Sequence, residues 1–573
     1  MMSDPEKSLI EDCLEGVRDW ENDSQEAHGL MNEWADAWRM KTKVKNKRPT
    51  GISKSITADL TSSVNVLAES ITRMQTLQDP FFELRSTGAS EEQLYQLEIK
   101  YQKQLLNMEF KRKLLKGNRG MCTFGTQVWE EPITSFPPGL PNPWYEGTDF
   151  IPLSLLQVAY RAGVYDINFS DFLATLNYFH GNYLRFSTSG GIWDHAKIEE
   201  GIKEKSQSTG SETKSKIEAR RQSAGYAESP TPMNELILWH GRLEDYENPL
   251  IAEMWDKYGM TVDPRHHDVT VGILNRKRLV RLNPTPYGTW HHLYKIGHYM
   301  EFELEPIAYA VGALGYEIQK DINRITRKNH DIQTFDVYSM KFVGRGAGLK
   351  QTNLKVFPFN MIPVDDVDKI KDIRPNIDGM IHGLKLIDDR RRSMQEGTHA
   401  SPTLKGEITG ATAREVVLAQ PNDMRGVSLI SEVNADAIIR PHLLTMHKNE
   451  VDQNPYDENH IPEVDFIPKV TNDKDFRPEH ITRLLEFATI VLSIRSNVPM
   501  EFNPMPILKQ AARAVGINPR ELKEPRSQMD QVIDAMRRIN GDSRLKNEVA
   551  GEAAGAADPG GGISQQSGLS VVQ

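Results

Sequence analysis

Three features of the sequence predict a mainly helical α+β protein. Long stretches carry apolar residues every three or four positions, a middle region alternates short apolar and aromatic runs with Pro and Gly, and charged residues make up 26% of the chain. With 573 residues there is room for several domains. The 38% of hydrophobic residues and a mean hydropathy of −0.52 are ordinary for a well-solvated chain. The longest mostly apolar stretch, Ile307 to Tyr316, falls short of the roughly 20 residues that cross a bilayer, so no membrane span is expected.

The elements follow in order. From Thr57 to Met74, Leu60, Val64, Leu67 and Ile71 stand on one helical face. A second helix is predicted from Ser90 to Lys116, opened by the capping pattern Ser90-Glu91-Glu92-Gln93 and closed by Gly117. From Met121 to Trp193 the pattern predicts strands and loops around Pro137-Pro138-Gly139 and Pro141-Asn142-Pro143, with a short helix near Ser170 to Phe179. Residues 194–232 are rich in Lys, Glu, Ser and Thr and read as an exposed helical or mobile insertion. Glu235 to Gly241 and Asp268 to Asn275 read as paired strands of one sheet, the run ending at Asn283-Pro284-Thr285-Pro286-Tyr287-Gly288.

The next hundred residues carry the strongest pattern. Ile307, Val311, Leu314, Ile318, Ile322 and Ile325 mark one long amphipathic helix, about 39 Å if it runs from Leu304 to Asn329. A second helix is predicted from Ile377 to Gln395, with Met380, Ile381, Leu384, Ile387 and Met394 as its apolar side. Between them, Phe335 to Arg374 reads as β-type and is interrupted by Gly344-Arg345-Gly346-Ala347-Gly348. After the loop His399 to Gly410 a third helix begins at Ala411-Thr412-Ala413-Arg414-Glu415-Val416, and Pro421 and Pro441 should kink or break its continuation. Helices are also predicted from Pro478 to Arg495 and from Pro504 to Val515, and the Ala/Gly/Ser-rich stretch beyond Gly541 offers nothing to pack.

The chemistry is narrower. The chain holds 69 Lys+Arg against 79 Asp+Glu, a net charge of −10, which argues against a surface given wholly to nucleic acid but allows local basic rings. No G-x-x-x-x-G-K-[ST] loop occurs, so a motor would lack its phosphate cradle, and Gly344 to Gly348 lacks the dinucleotide-binding spacing and reads as a loop tip. Cys13 and Cys122 are too few for a disulfide framework and read as core thiols in a reducing cytoplasm. The polar, acidic start Met1 to Lys7 does not resemble a secretory signal. His266-His267 and His291-His292, near Asp263, Asp268 and His298, are the one candidate seed of a metal site. Adjacent strand residues point to opposite faces and no H-E-x-x-H spacing accompanies them, so hydrogen-bonding structural roles are expected, with no metal and no cofactor. No nucleophile elbow occurs, and Asp365-Asp366 and Asp388-Asp389 read as solvated or subunit-contact charges. From Lys341 to Lys355 four cations, Lys341, Arg345, Lys350 and Lys355, stand without an acid, and Asp365, Asp366, Asp368 and Asp372 follow with the opposite sign. Such a split suits copies joined edge to edge, or cations presented to phosphates.

The order of three stretches resembles the portal, or head-to-tail connector, proteins of tailed double-stranded DNA bacteriophages, above all the short-tailed ones. They are Val269 to Gly288, ending Asn283-Pro284-Thr285-Pro286-Tyr287-Gly288; Glu305-Pro306 through Gly312 to Gln319-Lys320-Asp321-Ile322-Asn323, similar to the family's Gln-x-x-Ile/Leu-Asn helix; and Gly410 to Val416, which looks like the T-A-x-E-V start of the family's channel helix. Together they cover roughly residues 235–450.

The resemblance implies a wing at 1–302, stem helices at 303–332 and 377–397, a clip at 333–376, a tunnel loop at 398–410, a tunnel helix and wing return at 411–475, crown helices at 476–540 and a mobile tail at 541–573. It further implies no enzyme but a ring of twelve subunits at one vertex of the virion capsid, assembled in the host cytoplasm, through which double-stranded DNA is packaged and ejected without sequence readout. The partners implied are the terminase large subunit at the clip, then adaptor and tail proteins, with the major capsid and scaffolding proteins around the ring. Lys405 is the candidate DNA-facing residue of the tunnel loop, followed by Lys341, Arg345 and Lys350; Gly344, Gly346, Gly348 and Lys355 are candidates for docking at the clip. The alternatives are a metal-dependent nucleic-acid-processing enzyme built on the two histidine pairs, or another ring-forming virion protein such as an adaptor, which is usually much shorter.

Overall fold

The computed structural model describes residues 4–41, 55–77, 80–86, 88–136, 145–188, 192–207, 233–244, 246–302, 305–337, 340–343, 370–373, 377–398, 400, 426–453 and 463–470. All of them lie in the unit Met1–Phe487. The fold is a mainly helical α+β arrangement, and no helix among the described residues is long and apolar enough to cross a membrane.

Helix α1 (Asp4–Asp23) buries Leu9, Leu14, Val17 and Trp20 on one side, and α2 (Gln25–Trp38) follows it. In α3 (Asp59–Thr76) Leu60, Val64, Leu67 and Ile71 are all buried, as their spacing predicts. Strand β1 (Phe82–Arg85) leads to α4 (Glu91–Asn107), whose start is the expected capping box: Ser90 Oγ accepts the Gln93 amide and the Gln93 side chain accepts the Ser90 amide at 2.9 Å.

One long helix does not follow. The chain turns at Glu109 (φ +57°), in the left-handed region, and α5 (Phe110–Phe124) begins anew, so that Met108 and Phe110 are both buried. Gly117 does not close a helix. It lies inside α5 where a Cβ would overlap the Trp129 ring, and its missing side chain is what admits the indole.

Strands β2 (Thr126–Glu130), β3 (Ile133–Phe136), β4 (Tyr145–Thr148), β5 (Ile151–Leu153), β6 (Val158–Tyr160) and β7 (Phe172–Phe179) come next. The expected helix near Ser170 is therefore a strand. Phe172 to Leu176 are all buried, and such a run has neither the period of a helix nor that of a half-exposed strand. After α6 (Gly181–Ser187) and α7 (His195–Gln207) come β8 (Asn234–Gly241), α8 (Pro249–Lys257), β9 (Val269–Leu274), β10 (Arg278–Pro284) and β11 (Tyr294–His298). Five strands form one antiparallel sheet in the order β10-β9-β8-β7-β6, which includes the pairing of β8 with β9 expected from the sequence; β11-β2-β5 form a second. Helices α1 and α2 and both sheets share the largest core, which includes Phe172, Trp239 and Trp290.

Residues 195–207 are not a detached insertion. Ile198 and Ile202 of α7 pack with Leu184, Leu236, Leu274 and Val280, and a Cβ at Gly201 would meet Leu274 at 2.6 Å. The charges of α7 work outward: Glu200 and Glu204 pair with Arg278, and Glu199 with Arg185. Positions 208–232 lie outside the described residues.

The long helix α9 (Val311–Val337) starts later than the spacing suggests. Residues 305–310 instead run beside β2, where the Ala308 amide donates to Thr126 Oγ1 at 3.0 Å and Ile307 packs on the main core. Strands β12 (Met340–Val343) and β13 (Ile370–Ile373) pair antiparallel, and α10 (Ile377–Thr398) follows. Residues 426–434 are helical, pass through a π-turn at Ala435–Ile439 and continue as α11 (Arg440–Gln453), before β14 (Asp465–Pro468) pairs with β1. The disturbance expected at Pro441 is this π-turn, which ends at Ile439, two residues before the proline that cannot donate an amide. Pro421, the helix start at 411 and every element expected beyond 470 lie outside the described residues.

Candidate functional site

Helices α9 and α10 form an antiparallel pair. Gln333 meets Met380 (Nε2 to Sδ 3.5 Å), Asn329 meets Gly383, Asp321 pairs with Arg390 at 3.6 Å, and Gly315 lies by Met394, one number rising as the other falls. The seam is apolar: Ile322, Ile325, Ile387 and Met394 are buried in one cluster with Ile318 against it. At 1.5 Å per residue the 27 residues of α9 give a rod of about 40 Å.

The apolar side expected for α10 divides. Ile387 and Met394 enter the seam, whereas Ile381 and Leu384 are 47% and 50% exposed, and Leu386 is 44% exposed. With about 100° per residue, Leu384 and Ile381 stand about 60° and 120° from Ile387 on one side of the helix, and Leu386 about 100° away on the other. Helix α10 thus presents apolar surface on both flanks of its seam.

On its other side α9 grips the start of α3. Ala58, the cap residue of α3, offers no side-chain hydrogen bond. Gln319 replaces it from another helix: its Oε1 accepts the Leu60 amide at 2.7 Å while its Nε2 donates to Thr57 O (3.2 Å) and Asn323 Oδ1 (3.2 Å). Asn323 Oδ1 accepts the Thr57 amide at 2.9 Å, and Arg327 Nε donates to Ser55 O at 2.9 Å. Positions 319, 323 and 327 share one helical face, so the Gln-x-x-Ile-Asn stretch is a clamp between two helices. Arg391 of α10 closes the same corner by donating to Asp59 at 2.8 Å.

The β12–β13 pair joins the far ends of the two rods, with Lys341 opposite Asp372 in register. Of the other candidates, Gly344, Arg345, Gly346, Gly348, Lys350, Lys355 and Lys405 lie outside the described residues, as do Asp365, Asp366 and Asp368.

The histidine pairs have separate employments. His267 Nδ1 donates to Asp268 O at 2.8 Å with its ring edge-on to Trp255, while His266 is exposed. His291 stacks on Trp290 at 3.9 Å and donates from Nε2 to Asn168 O at 2.8 Å. Burial, with Lys448 and Lys295 nearby, lowers the pKa of His292, and burial likewise lowers that of His298, 3.0 Å from Thr126 Oγ1. Among the described residues no three His, Cys, Asp or Glu side chains are placed to hold a metal ion. Cys13 and Cys122 are both buried, and burial pushes each thiol pKa up.

A buried polar cluster has no counterpart in the sequence pattern. His442 Nδ1 donates to Glu131 Oε1 at 3.0 Å, both side chains being fully buried, and Lys295 Nζ lies 3.4 Å from Glu131 Oε2. Lys295 also donates at 2.9 Å to the carbonyls of His291 and His292, and burial lowers its pKa while Glu131 opposes the shift. Phe150 packs between Trp129 (3.9 Å) and His442 (4.3 Å). The cluster fastens α11 to the end of β2 across 311 residues of chain, a separation at which no local signal exists.

No family model matches the chain, and no curated protein matches it.

Proposed function

We propose that the chain is a portal-type subunit that closes into a ring of twelve around a channel for double-stranded DNA. The observation that carries this reading is the pair of apolar flanks on α10, Ile381 and Leu384 on one side and Leu386 on the other. A ring closed by head-to-tail contacts needs two different adhesive faces on every subunit, whereas a two-fold dimer needs one. Under this proposal the antiparallel rods and the β-pair that lies between them in sequence are the stem and clip, and the α/β body with its five-stranded and three-stranded sheets is the wing.

In this reading the function lies in the hole. A wall of net negative charge keeps phosphates from settling, and a few cations give weak, sequence-independent contacts, so DNA slides without a deep energy well. Lys405, Lys341, Arg345 and Lys350 are the proposed channel cations. The clip, with Gly344, Gly346, Gly348 and Lys355, docks the terminase large subunit and later the adaptor and tail proteins. The virion vertex, with the major capsid and scaffolding proteins as neighbours, is the proposed location.

The test is particle mass and shape. The full chain should form particles near twelve times 65.0 kDa with a central opening in negative stain, and Leu386→Asp should release monomers of unchanged far-UV circular dichroism. A wild-type chain that stays solitary at every concentration would overturn the proposal.

A further inference from the structure

A cleft of about 350 Å³ opens between the end of α2, one face of α5 and the chain that leaves β5. Arg39 and Lys116 stand at it, Phe124 and Leu153 give it apolar walls, Gln157 adds an amide, and Gly120 forms part of its side. Among the described residues none of its lining is Asp or Glu, in a chain whose acids outnumber its bases by 79 to 69. Neither Arg39 nor Lys116 forms an ion pair with a described residue, although most arginines of the body do. A Cβ built on Gly120 would meet nothing within 4 Å, so the helix side there is open space and not packed interior.

A second cleft of about 260 Å³, between α2 and α9, shows the contrast. There Glu33 and Asp36 line the same cleft as Lys41, Lys320 and Arg327, so its cations are partly compensated by acids. Of the two, only the first has cations and no acid in its lining, beside apolar walls and in a volume within the range of small-molecule sites.

We propose that the α2–α5 cleft binds a small organic anion, its acidic head held between Arg39 and Lys116 and its apolar body lying on Phe124 and Leu153. Arg39 and Lys116 are both exposed and stand at the rim of the cleft, so their attraction for an anion is partly screened by solvent, and the apolar walls add the contact that a bare surface pair lacks. The site lies within one chain, none of its lining belongs to α10, and it stands whether or not the ring does.

The test uses the full-length protein and two fluorescent probes, anionic 8-anilinonaphthalene-1-sulfonate and neutral N-phenyl-1-naphthylamine. One sulfonate probe should bind per chain, and Arg39→Gln with Lys116→Gln should weaken it at least tenfold while changing the neutral probe less than twofold. Gly120→Leu places a side chain in the open space without disturbing the helix and should abolish the sulfonate signal, and Leu386→Ser should leave it unchanged. Millimolar phenyl phosphate or benzoate should displace the sulfonate probe, whichever succeeds identifying the preferred head. Undiminished sulfonate binding in the double variant or in Gly120→Leu, or displacement by neither competitor, would refute the site.

Discussion

Gly383 lies directly beneath Asn329, so close that any Cβ at 383 would overlap the amide oxygen of Asn329. Asn329 is itself buried, and its Nδ2 has no hydrogen-bond partner among the described residues. At this point the rods pack an absent side chain against a polar one.

Gly383→Ala is the first consequence. At an exposed helical site this change stabilises by roughly 0.5–1 kcal/mol. Here overpacking should reverse the sign and cost about 1–3 kcal/mol, lowering the melting temperature. Asn329→Ala in the same chain should recover most of the loss, and a melting temperature at or above wild type for Gly383→Ala alone would mean that the rods do not meet in this register.

Gln319→Ala should uncap α3 from outside. The loss of the bond to the Leu60 amide is worth about 1–2 kcal/mol, the range of cap removals. Hydrogen exchange should read it locally, with faster exchange at Leu60 and slow amides retained in the five-stranded sheet. Uniform acceleration across the sheet would place the role of Gln319 elsewhere.

A buried group and a half-buried one set opposite responses to pH. Burial lowers the pKa of His240 to about 3, so below about 6.5 the unfolded chain binds a proton that the fold refuses and stability falls as pH drops. Burial, aided by Asp149 and opposed by Arg281, raises that of Glu130 to about 7, so between about 4.5 and 7 the folded chain binds more protons and stability falls as pH rises. Glu130→Gln should therefore steepen the loss of melting temperature on acidification from pH 7 to 5. A slope unchanged by that substitution would show Glu130 to be ionised normally.

For the proposed channel, Lys405→Glu should leave ring assembly intact and impair DNA packaging or retention. Deleting Gly344 to Gly348 should weaken terminase or adaptor capture in a pull-down, with the ring preserved. Normal packaging in the first would remove Lys405 from the channel, and full binding in the second would remove that loop from the clip.

Much of the secondary structure was legible because its causes are local. The Ser90/Gln93 box, the face of α3, the paired strands at 234–241 and 269–274 and the two rods all follow from spacing over a few residues. Where packing overrides spacing, periodicity misleads. Phe172 to Leu176 are buried throughout, so no period remained to distinguish strand from helix. Gly117 looked like a stop because glycine ends helices, yet its purpose is to admit Trp129. The Gln319 and Asn323 stretch stands out in the sequence, but its task depends on Thr57 and Leu60 lying across from it.

By itself the sequence determined the helix faces, the strand runs and the acidic total, since backbone periodicity and side-chain chemistry suffice for those. Only the tertiary structure decided that the apolar residues of α10 divide between a seam and two open flanks, that Glu131 is held by His442, and that Arg39 and Lys116 share a cleft free of acids among the described residues. Each of these depends on which distant segment arrives at a given face, and burial and local charge are properties of that meeting rather than of either segment alone.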